Sequence, residues 1–251
     1  MKAELSDVDR AHAVYTKRRL DFYDWWVLGL SNPRIWKCPT EKLEDLYREH
    51  LSANHLEVGA GTGYFLEKTL PELDAVRPES VRPESVRPES AQPRVALLDI
   101  NRACLEKASA RISGHRPETY EHNVLEPFER SVEKFDSIAV NYLLHCLPGR
   151  IETKAEKVFD NLAPHLEDGG VVFGATLLGK DIQRPLLARC VMRFYNRRGI
   201  FSNSKDTLGA VMEVLAARFK TFEVEVVGCV VLFWGKGLRD SYRERISGRD
   251  R

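Results

Sequence analysis

HLEVGAGTGYF, residues 55–65, closes an apolar run with glycines at 59, 61 and 63, then resumes in aromatic and leucine residues. Small residues at such a turn let the backbone bend sharply and approach a ligand with no Cβ in the way. The dinucleotide fingerprint would need its third glycine at position 64, where Tyr64 stands. A P-loop is excluded because no Gly-Lys-Ser/Thr follows. Glu57, two residues before Gly59, would repel a diphosphate and attract an ammonium group. The turn therefore suits a cofactor with a cationic amino-acid end.

The next strand-like run, RVALLD, ends in Asp99, and a carboxylate there can accept both hydroxyls of a ribose. The separation from Gly59 exceeds the usual spacing of about 20 residues. The repeat VRPES, present three times between Val76 and Ser90, accounts for the excess as a local insertion. Proline in each unit removes an amide donor and disfavours helix before it, so an exposed loop is expected.

Strand-like runs HLEVG, RVALLD, TYEHNV, FDSIAVN and GVVFGATLL alternate with the helical patterns YFLEKTLPEL, NRACLEKASARIS and IETKAEKVFDNLAPHL. In the last, Ala155, Val158, Leu162 and Leu166 share one face and EDGG reads as the stop. A later helix should present Leu208, Val211, Leu215 and Phe219, and TFEVEVVGCVVLFWGKG reads as a hairpin turning near Gly228. The expected fold is α/β: a Rossmann-like, doubly wound, mostly parallel seven-stranded sheet closed by an antiparallel C-terminal hairpin. Four parts are expected: a helical lid over 1–48, a cofactor-binding core over 49–180 with its insertion at 74–93, substrate-side helices and hairpin over 181–238, and a charged flexible tail over 239–251.

A chain of 251 residues with 43% hydrophobic and 30% charged residues can bury one substantial core. Its formal charge of +1 gives no global argument for nucleic acid or a membrane surface, although a local patch would be hidden in that sum. Five dispersed cysteines without a CxxC pair offer no metal site and no disulfide framework. No stretch reaches the roughly 18 apolar residues of a membrane helix. A cytoplasmic protein with a small-molecule partner is expected, without nucleic acid or membrane, and with a homodimer as the assembly to test.

EVGAGTG and LLDIN together resemble the first two motifs of the class I S-adenosylmethionine-dependent methyltransferases. The resemblance is good over roughly residues 50–178 and implies S-adenosyl-L-methionine as cofactor. It implies that Glu57 holds the methionine end, that Gly59, Ala60, Gly61 and Gly63 form the floor, and that Asp99 takes the ribose. Ile100 and Asn101 would flank the adenine, Asn123 and Val124 of HNVLEPF would meet its edge, and Asn141 would lie beneath the sulfonium. FYDWWVLGLSNPRIW is reminiscent of the quinone-biosynthesis type, which carries a Tyr-Asp pair and a downstream Trp before the first motif.

Methyl transfer needs alignment in a water-poor pocket, and a base only when the nucleophile arrives protonated. His145, four residues after Asn141, is the candidate base; its competing reading is a packing histidine. Among the N-terminal aromatics, Tyr15 and Tyr23 are assigned to the cofactor and Trp26 to the acceptor, against a plain core role. Phe201 and Asn203 are the remaining candidate acceptor residues. NYLL at 141–144 lacks the Asn/Asp-Pro-Pro-aromatic arrangement of amino-methylating enzymes, and no carboxylate trio supports the magnesium-dependent catechol type. The expected activity is methylation of a small organic metabolite at O, N, C or S. The rivals are a methyltransferase-like protein with another reaction, a non-catalytic module, and an NAD-dependent dehydrogenase.

Overall fold

A computed structural model describes residues 24–76 and 92–248. The VRPES repeats beyond Val76, Tyr15, Tyr23 and the side chains of Trp25 and Trp26 lie outside the described residues. Seven strands form one sheet in the order β3-β2-β1-β4-β5-β7-β6. They are β1 Asn54–Val58, β2 Arg94–Asp99, β3 Glu118–Glu121, β4 Phe135–Asn141, β5 Leu166–Leu177, β6 Phe219–Val227 and β7 Val230–Leu238. The helices are a π-helical segment Asp24–Trp36, then α1 Thr40–His50, α2 Tyr64–Val76, α3 Arg102–Arg111, α4 Ile151–Leu162, α5 Leu186–Arg197, α6 Leu208–Ala216 and α7 Asp240–Gly248.

The first five strands are parallel; β7 runs antiparallel to both β5 and β6. In β2, Val95 and Leu97 join the core beside α1, α2 and α3, while Ala96 and Leu98 join the core beside α4 and α6. Both faces are covered, which is why these strands read as continuous apolar runs. Chain order reverses between β1 and β4, placing a crevice at their carboxyl ends, just past Val58 and Asn141.

Three boundaries differ from the sequence pattern. Pro164 lies in a short 3₁₀ turn after α4, so Leu166 leaves the helix and opens β5, and EDGG lies within that strand beside an irregular register. Phe219, expected on the α6 face, is the first residue of β6 and is buried with the same core. Most of the charged end of the chain forms α7 rather than a flexible tail. Its Tyr242 is 2% exposed, and the Tyr242 hydroxyl donates to Asp160 Oδ1 at 2.7 Å. Ile246 packs on the same core, and Lys220 and Asp168 bond Asp240 and Arg243 respectively, so several contacts hold this short polar helix.

Candidate active site

The glycine turn lines a crevice with Leu28, Glu57, Ala60, Thr62, Tyr64, Asn141 and Tyr142. Gly59, Gly61 and Gly63 all hold positive φ, at 78°, 52° and 73°. Their surroundings separate their roles. A Cβ on Gly63 would meet Ala108 Cα at 3.0 Å, so this glycine permits α2 to approach α3. A Cβ on Gly61 would find only the Gly59 carbonyl, at 3.9 Å, and therefore open space. Gly61 is the position where a ligand can lie against bare backbone.

Asp99 ends β2 beside that position, accepting from Asn101 N at 2.8 Å and from Gly61 N at 3.5 Å. Burial pushes its carboxyl up to about 6, with the backbone N–H groups of Asn101, Gly61, Ala60 and Ile100 opposing the shift. Ile100 and Asn101 are half-buried next to it, and Asn101 caps α3 by accepting from Ala103 N. Across the crevice, Asn141 is 7% exposed and its Oδ1 is buried with no hydrogen-bond partner. An orphaned acceptor is costly unless a ligand supplies a donor. An ammonium group in the crevice would satisfy it.

Glu57 is 5% exposed on β1 with both oxygens engaged: Oε1 accepts from the Tyr47 hydroxyl at 2.7 Å, and Oε2 lies 3.2 Å from His55 Nε2. Ser137 Oγ is 2.8 Å from His55 Nδ1, so a chain of bonds runs through the sheet from Ser137 to Tyr47. Glu57 reaches the crevice wall from inside this network. Burial and the adjacent Glu57 carboxylate hold the Tyr47 phenol protonated, well above its usual range.

Tyr142 and Thr62 stand out only in the structure. Tyr142 has φ of +52°, a costly conformation for a residue with a bulky side chain. It is fixed by its own N–H on Ala175 O at 2.8 Å and by its hydroxyl on Asn32 Oδ1 at 3.0 Å. Thr62 donates its hydroxyl to Asp24, and Arg111 bonds the other oxygen of the same carboxylate. Asp24, Thr62 and Arg111 thus clamp the N-terminal segment to the glycine turn. Asp24 belongs to the Tyr-Asp pair noted in the sequence, but its partner Arg111 is 87 residues away and carries no local signal.

The other expected residues lie farther out. Asn123 closes a turn, its Oδ1 accepting from Leu125 N at 3.1 Å and its amide donating to Glu126. Val124 is 6% exposed and belongs to the α4-side core. His145 is 3% exposed and packs edge-on against Phe201 with ring centroids 4.6 Å apart, and against Tyr142 at 5.7 Å. Its Nδ1 accepts from Leu177 N at 3.4 Å, which assigns the ring proton to Nε2. Burial, reinforced by Lys154, lowers its pKa to about 3. Phe201 also touches Tyr195 at 4.9 Å and Trp36 at 6.1 Å, forming an aromatic wall. Asn203 is fully buried, donating to Leu177 O at 2.9 Å and accepting from Asn196 at 2.8 Å, so its amide serves the loop that carries Phe201. The structure brings Glu57, the glycine turn, Asp99 and Asn141 together. Asp99, Ile100, Asn101, Asn123, Val124, His145, Phe201 and Asn203 lie outside the crevice lining itself, and Asp99 is joined to it through the bond from Gly61 N.

Residues 56–172 match a family described as methyltransferase domain. A physcion biosynthesis cluster O-methyltransferase of Aspergillus chevalieri is 35% identical over 92% of this chain and 96% of its own. A demethylluteothin O-methyltransferase of Streptomyces thioluteus is 34% identical over 87% of each chain. Among solved structures, the N-methyltransferase NodS of Bradyrhizobium japonicum WM9, in complex with S-adenosyl-L-homocysteine, has a TM-score of 0.59 at 18% identity, covering 91% of this chain and 99% of its own. That likeness is one of fold.

Proposed function

This chain belongs to the class I S-adenosylmethionine-dependent methyltransferases and acts on small molecules, and on that premise we propose that it methylates a hydroxyl oxygen of its acceptor. The finer assignment to oxygen is supported by relatives named O-methyltransferases that align over nearly the whole chain. The observation that carries the site assignment is the pairing of an unpartnered Asn141 Oδ1 with the Asp99 carboxylate across the open face of Gly61.

In this reading Asp99 holds the ribose hydroxyls, Gly61 supplies the bare floor, Asn141 accepts from the ammonium group, and Glu57 adds a negative field behind it. Ile100 and Asn101 border the adenine, with Asn123 and Val124 as the outer shoulder of that pocket. When bound, S-adenosyl-L-methionine supplies an electrophilic methyl group for in-line displacement. Leu28 and Tyr142 contribute apolar and aromatic surface to the crevice lining. Phe201, with Trp36 and Tyr195, forms the acceptor wall. His145 is a positioning residue here: its Nδ1 lone pair is engaged, and a group with a pKa of about 3 is a poor base at neutral pH. No helix among the described residues is long and apolar enough to cross a membrane. We assign the protein to the cytoplasm, a location compatible with its five free thiols.

Incubation with methyl-labelled cofactor and a panel of phenols, enols, amines and thiols tests the reading. Label is expected on oxygen. Label on nitrogen, carbon or sulfur alone overturns the O-acceptor assignment, while failure to bind S-adenosylhomocysteine overturns the site.

A further inference from the structure

Helix α5 is out of keeping with the near-neutral chain. Between Lys180 and Arg198 stand six basic residues, Lys180, Arg184, Arg189, Arg193, Arg197 and Arg198, against one acid, Asp181. Five of them line one groove together with Met192, Asn196 and Ser204. Arg189, Arg193 and Arg197 recur every four residues along α5, forming a row on the exposed side of the helix. Clustered like charges repel one another, and a surface of this kind is stabilised by an anion.

Beside the arginine row lies an apolar ridge. Leu186 is 76% exposed, Leu187 56% and Phe194 50%, three of the five large hydrophobic side chains that are exposed among the described residues. Leu186, Cys190 and Phe194 follow the same four-residue spacing one step round the helix, and Cys190 is exposed as well. The opposite face is committed: Ala188 and Met192 are buried, and Tyr195 packs on Phe201. One helix thus presents arginines and protruding leucine and phenylalanine side chains on its outer face, and anchors the acceptor wall with its inner one.

We infer that the outer face of α5, with the groove beside it, docks on the surface of an anionic phospholipid bilayer. Phosphate groups complement the arginine row, and Leu186, Leu187 and Phe194 enter the boundary between headgroups and acyl chains. A soluble phosphate would leave the ridge in water. A bilayer satisfies both features together, and the inner face of the same helix would hold the acceptor wall close to the lipid. This contact is peripheral and revises the expectation, drawn from total charge, that no membrane is involved. It uses no residue of the cofactor crevice.

The test is co-sedimentation of the full chain with vesicles of phosphatidylglycerol and phosphatidylcholine, and with vesicles of phosphatidylcholine alone. Binding is expected to the anionic vesicles, weakening with added salt. The triple variant Arg189→Glu, Arg193→Glu, Arg197→Glu should reduce partitioning by at least about a hundredfold, on the scale of about fivefold per basic residue near an anionic surface. Leu187→Ser with Phe194→Ser should reduce binding while leaving its salt dependence. Both variants should bind S-adenosylhomocysteine as the parent does, which shows that they fold. Absence of binding to anionic vesicles, equal binding to neutral ones, full competition by inorganic phosphate, or folded variants that bind as the parent does would each overturn the inference. Selective capture of an acidic protein by the same face, without vesicle binding, would overturn it in favour of a protein partner.

Discussion

Asp99 should give ligand binding a pH signature. Its folded value of about 6 exceeds the ordinary 3.8, so between those limits the folded state binds more protons than the unfolded chain. This residue's contribution to stability is therefore present at low pH and lost as pH rises through about 6. Binding runs the other way, because only the ionised carboxylate accepts from both ribose hydroxyls. Calorimetry should show S-adenosylhomocysteine affinity falling as pH drops below about 6, and Asp99→Asn should cost about 10- to 100-fold in affinity and flatten that dependence. His145 has a lowered value, about 3, so stability is lost as pH falls from its ordinary 6.5 towards 3. His145→Gln should weaken that acid sensitivity in thermal melts and leave the shape of the pH-rate profile unchanged. Turnover slowed by about a hundredfold or more, together with the disappearance of an inflection near neutral pH, would restore the base role. Gly61 and Gly63 should also separate: both alanine variants carry the strain of a positive φ, but Gly63→Ala adds a clash with Ala108 and should lower the melting temperature more, whereas Gly61→Ala should in addition reduce S-adenosylhomocysteine affinity, because its Cβ would occupy the ligand face.

Between elements, two polar contacts carry most of the leverage. Lys154 Nζ lies 2.7 Å from Asp206 Oδ2, both side chains essentially without solvent, and Asp206 Oδ1 accepts from Ile151 N at the start of α4. Lys154→Met alone should cost about 3–5 kcal/mol in urea denaturation because it strands a buried carboxylate, and adding Asp206→Asn should recover part of that loss. The Asp24 clamp joins the N-terminal segment to the glycine turn and α3, so Asp24→Ala should reduce stability by about 1–3 kcal/mol and weaken cofactor affinity together. Legibility in the sequence follows the same division. The glycine turn, Glu57 and Asp99 are legible as candidates because glycine spacing and strand ends mark them, whereas Asn141 enters only through the family resemblance, which puts it beneath the sulfonium. Periodicity set most elements but misplaced Leu166 and Phe219, since an apolar residue at a helix end keeps the helical spacing after the chain has turned into a strand. Arg111, Thr62 and Tyr142 could not be singled out, because their partners come from distant segments or, for Tyr142, from a backbone angle that leaves no trace in composition.

For the whole molecule, the order β3-β2-β1-β4-β5-β7-β6 explains why the site lies where it does. After β1 the chain passes to α2 on one face of the sheet and after β4 to α4 on the other, and the crevice opens between them, with the glycine turn on one side and Asn141 on the other. The central claim is that adenosylated methionine lies across Gly61 between Asn141 and Asp99. A crystal structure of the protein with S-adenosylhomocysteine tests it most directly. Both ribose hydroxyls should lie on the Asp99 carboxylate and the amino group on Asn141 Oδ1. A ligand seated away from Gly61, or with its ribose off Asp99, would contradict it.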